Sequence, residues 1–323
     1  MGYSKRNVEA VNEEFENKRK KNIMARQDRL LEVYSLCPEI KDIDTELSKT
    51  GLSIFGATMQ GKDGLEERLQ KLRDKNDFLN SKRASLLQEL GFDATYTELK
   101  YDCPLCKDSG YQGVKMCSCL KDALTLKGYE SSGIANLLKS QSFESFSLDV
   151  YPKECQDIMK CNYKKLHKFV DNFETSKEFF LLAGGTGLGK THLSTSVAKA
   201  LIDNGYDVVY ELAQNIFSDF DTDRFRDRYS DSELLSEKYF YCDLLIIDDL
   251  GTEIITSYTV SYLYNIINTR INKKLPIIIN TNLNAKEIKS MYHQRITSRL
   301  FGEFTIIKFE GSDVRQKKIC DKK

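Results

Sequence analysis

The chain has 323 residues, 41% of them hydrophobic and 30% charged, which suits a globular protein large enough for two domains. Lys plus Arg and Asp plus Glu each count 48, so the formal net charge is zero; a globally basic nucleic-acid binder is not indicated, though a local basic patch remains open. No apolar run approaches the roughly 20 residues that cross a bilayer, "MGYSKRNVEA" has no apolar core for a signal peptide, and Arg6 stands where a myristoylation motif wants Ser or Thr. Nine cysteines without an export signal point to the cytoplasm, with reduced thiols or metal-bound ones.

Residues 1–98 are rich in charge and leucine and form the first region, either an ordinary helical subdomain or a helical module that binds a partner. Within "LEERLQKLRDKNDFLNSKRASLLQEL", Leu65, Leu69, Leu72, Leu79, Leu86 and Leu90 recur at helical spacing and lie along one stripe. Asn76 and Arg83 interrupt that stripe, which leaves a long coiled coil and an antiparallel helical hairpin both open. "SIFGATMQGKDG" (53–64) supplies the break before this helix.

Residues 99–125 carry "CPLCKDSGYQGVKMCSCL", with Cys103, Cys106, Cys117 and Cys119 in a C-x₂-C-x₁₀-C-x-C pattern. A C-x₂-C turn aims two thiolates at one point, a second close pair completes a tetrahedron, and Gly110 and Gly113 allow the return loop. In a cytoplasmic chain this favours Zn²⁺, with an iron–sulfur cluster or unliganded thiols as alternatives. Four filled positions leave none for water, so a zinc ion here is structural. The other five cysteines and His167 are scattered and read as structural or incidental.

Residues 126–150 read as a linker with one short helix. From 151 to 323, strand and helix patterns alternate: "EFFLLAGG", "YDVVYEL", "CDLLIIDDL", "LPIIINTN" and "FTIIKFEG" look like five buried strands with helices between most of them. That alternation predicts an α/β domain with a parallel sheet covered on both faces.

Gly184-Gly185-Thr186-Gly187-Leu188-Gly189-Lys190-Thr191 fits the phosphate-binding pattern G-x-x-x-x-G-K-[ST] in full, between a strand and an amphipathic helix. Glycines let the backbone wrap an anion with its N–H groups, and the following helix adds its positive end. Lys190 is placed to reach the β and γ phosphates of ATP, and the Thr191 hydroxyl to ligate Mg²⁺. "CDLLIIDDL" supplies the acids: Asp248 to hold Mg²⁺ through water and Asp249 to orient or deprotonate the attacking water. The strand "PIIINTN" ends in Thr281 and Asn282, where a polar side chain can sense the γ-phosphate.

Arg295 and Arg299, four apart in "HQRITSRLFGEF", share a helix face that is either solvated or offered to a phosphoryl group of a neighbouring subunit. Arg315 in "GSDVRQKK" is a further candidate for nucleotide contact within its own subunit. The stretch 217–241 carries Arg224, Arg226 and Arg228 among aromatics that could meet phosphates and bases, and many acids that suit a solvated helical face.

"GGTGLGKTHLSTSVAKAL", "DLLIIDDLG", "IIINTN", "QRITSRL" and "GSDVRQ", in this order, resemble the DnaC/DnaI-type replicative helicase loaders, which are AAA+ P-loop ATPases; the resemblance spans roughly 140–320 and includes the Thr191-His192-Leu193 that follows the loop lysine. It implies a five-stranded AAA+ sheet, with the loop residues Gly184–Thr191 and His192 at the nucleotide. It also implies Asn282 as the sensor-1 residue, Arg299 as an arginine finger acting in trans, and Arg315 as the sensor-2 arginine in cis. A cysteine-rich zinc segment before the ATPase occurs in such loaders. The implied activity is ATP-dependent loading of the replicative helicase onto single-stranded DNA, with self-association through the ATPase domain and docking through the N-terminal region. Transposon helper ATPases are close relatives, so an adaptor for transposition is the alternative, and a nucleotide switch that scarcely hydrolyses ATP is a third reading. Many AAA+ enzymes have Glu where Asp249 stands; the shorter acid predicts slow basal hydrolysis.

Overall fold

The computed structural model describes residues 3–50, 53–54, 64–226, 234–311 and 313–314. The sequence candidates Arg228 and Arg315 lie outside the described residues. The chain divides into two compact units, Asn12–Cys119 and Met1–Val11 with Leu120–Lys323. No described helix is long and apolar enough to cross a membrane.

The first unit is helical. Helices α1 (Lys5–Leu36) and α2 (Pro38–Ser48) are separated by Cys37, whose extended backbone (φ −143°, ψ 92°) follows from the proline after it. Helix α3 (Leu65–Glu89) carries the leucine stripe. Val33, Ile40 and Leu87 are fully buried together, one from each helix, with Leu86, Leu90, Phe92 and Tyr96 packed on them. The polar interruptions of the stripe are where α3 meets the α2 segment. Asn76 accepts from the Thr50 hydroxyl at 2.8 Å, and Arg83 pairs with Asp44 at 2.6 Å. Glu46 pairs with Lys75 while Glu39 pairs with Lys82, so α2 and α3 run antiparallel. Between the two expectations, a hairpin forms rather than a long coiled coil. Beyond it lie the two-stranded hairpin β1 (Tyr111–Gln112) and β2 (Lys115–Met116), and helix α4 (Ser118–Ser131), which begins among the cysteines.

The second unit is the predicted α/β domain. Residues 126–150 contain the end of α4 and the short helix α5 (Ala135–Leu138), and give Ile134, Leu138 and Phe143 to the domain core. Then come α6 (Lys153–Asp171), β3 (Phe179–Ala183), α7 (Lys190–Asp203), β4 (Val208–Leu212), α8 (Ala213–Arg224), α9 (Lys238–Tyr241) and β5 (Leu244–Leu250). The domain ends with α10 (Ser257–Lys273), β6 (Ile277–Thr281), α11 (Ala285–Met291), α12 (Gln294–Glu303) and β7 (Thr305–Lys308). All five strands expected from sequence form one parallel sheet in the order β4-β5-β6-β3-β7.

Strand periodicity assigns the core. Phe180, Leu182, Leu244, Ile246 and Ile278 face one layer with Met159 and Leu166 of α6 and Leu193, Val197 and Leu201 of α7. Phe179, Leu181, Leu245, Ile247, Ile277 and Ile279 face the other, with Ile216, Leu263, Ile266 and Leu300 from α8, α10 and α12. With both faces covered, the central strands read as unbroken apolar runs. Register places the carboxyl ends of β3, β5 and β6 side by side.

Candidate active site and cysteine cluster

The loop 184–189 leaves the end of β3 and enters α7. Gly189 has φ +91°, and a side chain there would collide with the Tyr151 hydroxyl. That hydroxyl donates to the carbonyl of Leu188 at 3.0 Å, and burial pushes the phenol up to about 12, so it remains a donor. Gly187, with φ +71°, lies against the Asp313 carboxylate, and the Val314 N–H donates to the Gly187 carbonyl at 3.0 Å. Asp313 and Val314, after β7, therefore close on the glycine loop.

Lys190 is buried. Its ammonium donates to the carbonyls of Gly184 (2.7 Å) and Gly185 (2.6 Å) and to Asn282 Oδ1 (2.7 Å). The Thr191 hydroxyl donates to Asp248 Oδ2 at 3.3 Å, so the two groups suited to a hard divalent cation meet.

Asp248 is 5% exposed, and both its oxygens are occupied. Oδ2 accepts from the Tyr210 hydroxyl (2.7 Å), while Oδ1 accepts from Asn280 Nδ2 (2.8 Å) and the Asp249 N–H (3.1 Å). Tyr210 comes from β4 and Asn280 from β6, the strands on either side of β5. Burial, then the Asp248 charge, pushes the Tyr210 phenol far up, which keeps it a donor. The β5–β6 ladder shifts register between Ile247 and Leu250, and Asp249 has φ +53°. This irregularity lets successive acids leave the strict two-residue alternation of a strand. Asp249 Oδ1 accepts from Asn282 Nδ2 at 3.3 Å.

Thr186 through His192, Asp248, Asp249 and Asn282 line one cavity of about 520 Å³. Its other wall comes from the segment before the sheet, including Leu137, Gln141, Phe146 and Tyr151. His192 faces that segment: its Nε2 lies 3.1 Å from the Ser142 carbonyl and 3.2 Å from the Ser145 hydroxyl, with its ring edge-on to Phe146. Thr281 turns away from the cavity, donating to the Leu250 carbonyl at 2.7 Å. Arg299 sits on α12, outside the cavity lining, partly exposed and 3.6 Å from Glu303. Arg295 is exposed on the same helix. Arg224 lies over the Tyr258 ring, 3.8 Å from its centre, beside an exposed Phe225.

Sequence reasoning missed Tyr210, Asn280 and the 137–151 wall. Polar residues inside the otherwise apolar runs "VVYEL" and "IIINT" are the signal that marks the first two.

The four cysteine sulfurs lie within 4.8 Å of one another, with Cys103–Cys117 at 3.9 Å and Cys106–Cys119 at 3.4 Å. A zinc ion with bonds of about 2.3 Å requires sulfurs about 3.8 Å apart, so the set fits. Lys107 and Asp108, just after the first pair, have φ of 51° and 58° and turn the chain there. The Asp108 carboxylate fastens this turn, accepting the N–H of Cys103 at 2.7 Å and of Asp102 at 3.0 Å. The Cys119 N–H, aimed at the Cys117 sulfur, holds that thiol down to about 6, while burial and the neighbouring sulfurs push Cys119 up.

A family described as IstB-like ATP-binding protein matches residues 134–319, more than half of the chain. This chain belongs to that family. Its relatives include the replicative helicase loader DnaC of Escherichia coli K12, 27% identical over 172 residues, covering 53% of this chain and 67% of that protein. The phage-like element PBSX protein XkdC of Bacillus subtilis 168 is 28% identical over 198 residues, covering 57% of this chain and 73% of that protein. Among solved structures, a DnaC helicase loader aligns over 54% of this chain and 99% of its own, with 19% identity and a TM-score of 0.46. The resemblance to DnaC-type proteins and the AAA+ P-loop fold it implies are borne out, with a helical region preceding that domain.

Proposed function

We propose that this protein loads the replicative DNA helicase onto single-stranded DNA, driven by ATP. One observation carries the ATP part: Lys190, Thr191, Asp248, Asp249 and Asn282, from two strand ends and a helix start, converge on one cavity. The DnaC relatives, named replicative helicase loaders, support the helicase part.

In this reading the glycine loop and Lys190 hold the phosphates of ATP, and Thr191 with Asp248 would hold Mg²⁺, which would offset the phosphate charge. Asp249 orients the attacking water, with Asn282 fixing both Asp249 and Lys190. Arg299 reaches the nucleotide of a neighbouring copy, and Arg315 that of its own, so hydrolysis is slow until copies assemble. Cys103, Cys106, Cys117 and Cys119 hold a structural zinc, and the helical and cysteine regions together dock the helicase in the cytoplasm. DNA contacts fall in the 217–241 region.

The test is the mass of the complex formed by the full chain, the replicative helicase of the same cell, ATP and Mg²⁺. A defined assembly, lost with Lys190→Ala, supports the loader. No assembly by a chain that binds ATP and one zinc overturns it, and moves the reading to a transposition adaptor.

A further inference from the structure

Among the described residues that line the cavity, one buried side-chain polar atom has no hydrogen-bond partner. Gln141 Oε1 is buried, and among the described residues no donor reaches it. An orphaned buried acceptor is destabilising unless a ligand supplies the donor.

Its position is fixed. Gln141 follows α5, its N–H donates to the Leu137 carbonyl at 2.9 Å, and the buried Leu138 and Phe143 flank it in the core. The neighbouring serine hydroxyls of the wall are already engaged: Ser145 with Ser142 and His192, and Ser147 with Asp149. Gln141 shares the wall with Leu137, Phe146 and Tyr151, surfaces suited to the faces of a flat ring. The phosphate-binding groups come from the glycine loop and the strand ends, which leaves this wall for the base. An amide pairs with adenine through the exocyclic amine and an adjacent ring nitrogen, an acceptor for the first and a donor for the second. On the edge that carries N7 a 6-oxopurine presents two acceptors, its 6-carbonyl and N7, so in either orientation of the amide its oxygen faces an acceptor and one of the two bonds is lost.

We infer that Gln141 reads the 6-amino group of adenine and makes the site specific for ATP over 6-oxopurine nucleotides. The assignment rests on the cavity being the nucleotide site. It adds the residue that selects the base, which a phosphate loop cannot do.

The experiment measures mant-ATP and mant-ITP binding to the full chain, its Gln141→Leu, Gln141→Met and Gln141→Glu variants, and Lys190→Ala. Competition by inorganic tripolyphosphate reports an intact glycine loop. The unsubstituted chain is expected to favour mant-ATP by about 10-fold or more. Leu and Met, which lack the acceptor, bring the ratio to within about 2-fold, mostly by weakening mant-ATP, while tripolyphosphate competes as before. Glu keeps an acceptor and keeps the preference. Equal affinities in the unsubstituted chain, or an unchanged preference in Leu and Met, overturn the assignment while leaving the ATP site standing. Absence of binding by either nucleotide, with no effect of Lys190→Ala, overturns the ATP site and this inference with it.

Discussion

Asn282 accepts a hydrogen bond from the Lys190 ammonium at 2.7 Å and donates one to Asp249 at 3.3 Å. One amide thus turns its oxygen to the cation and its nitrogen to the acid, spanning the two ends of the reacting site. Lys190 keeps the Gly184 and Gly185 carbonyls when Asn282 is removed, but Asp249 loses a donor that aims it. Asn282→Ala is therefore expected to lower kcat for ATP hydrolysis by about 10- to 100-fold and to change KM by less than about 3-fold. Steady-state phosphate release measures both. A raised KM with unchanged kcat would show that Asn282 serves binding alone.

The Asp248 carboxylate is clamped by neutral donors from both neighbouring strands, Tyr210 at 2.7 Å and Asn280 at 2.8 Å. These bonds fix its direction beside Thr191. Tyr210→Phe removes one donor with little change of shape. The Mg²⁺ concentration for half-maximal ATPase activity should rise about 10-fold, as when supporting partners of metal ligands are lost. ATP affinity without Mg²⁺ should hold. A Mg²⁺ titration of the two proteins decides it; a fall in thermal stability with an unchanged Mg²⁺ midpoint would make Tyr210 purely structural.

The strands were legible because the domain buries both sheet faces, which turns Phe179–Ala183, Leu244–Ile247 and Ile277–Ile279 into apolar runs ending in turns. The glycine loop was legible because its spacing is a backbone requirement. The Tyr210–Asp248–Asn280 clamp was not, since it depends on which strands are neighbours and on their register. Nor was the 137–151 wall: its core residues Leu138 and Phe143 are spaced irregularly among serines, without the period of a helix or strand. In the N-terminal third, the polar breaks Asn76 and Arg83 were visible, and the partners that make them a hairpin, Thr50 and Asp44, were not.

At the opposite end of β4, Asp207 is held up at about 6, chiefly by burial and then by the nearby Asp243 charge, with Arg270 opposing. A carboxyl raised in the fold binds more protons than its unfolded form between about pH 4 and 6, so its contribution to stability is present below that window and lost as pH rises through it. Asp207→Asn removes the penalty. The variant should be more stable than the unsubstituted chain at pH 7.5 by about 1–3 kcal/mol and nearly equal to it at pH 4. Denaturant unfolding at the two pH values tests the sign: a variant destabilised at pH 7.5 would mean that the Asp207 charge is stabilised through Arg270.

The cysteine cluster makes the last prediction. The Asn12–Cys119 unit has a small core of Val33, Ile40 and Leu87, and the 103–119 segment offers mainly exposed side chains apart from its buried cysteines and Asp108. A segment with so little apolar burial gains most from a cross-link through a metal. The purified chain should contain about one zinc, released by a strong chelator together with local unfolding. Cys106→Ser should lose the metal and become protease-sensitive near residues 103–119, while mant-ATP affinity stays within about 2-fold, because the glycine loop and its acids belong to the other compact unit. Metal analysis, limited proteolysis and nucleotide titration of the same sample give the three readings. A full zinc complement in Cys106→Ser would remove that sulfur from the ligand set, and proteolysis unchanged by chelation would mean the turn held by Asp108 stands without the metal.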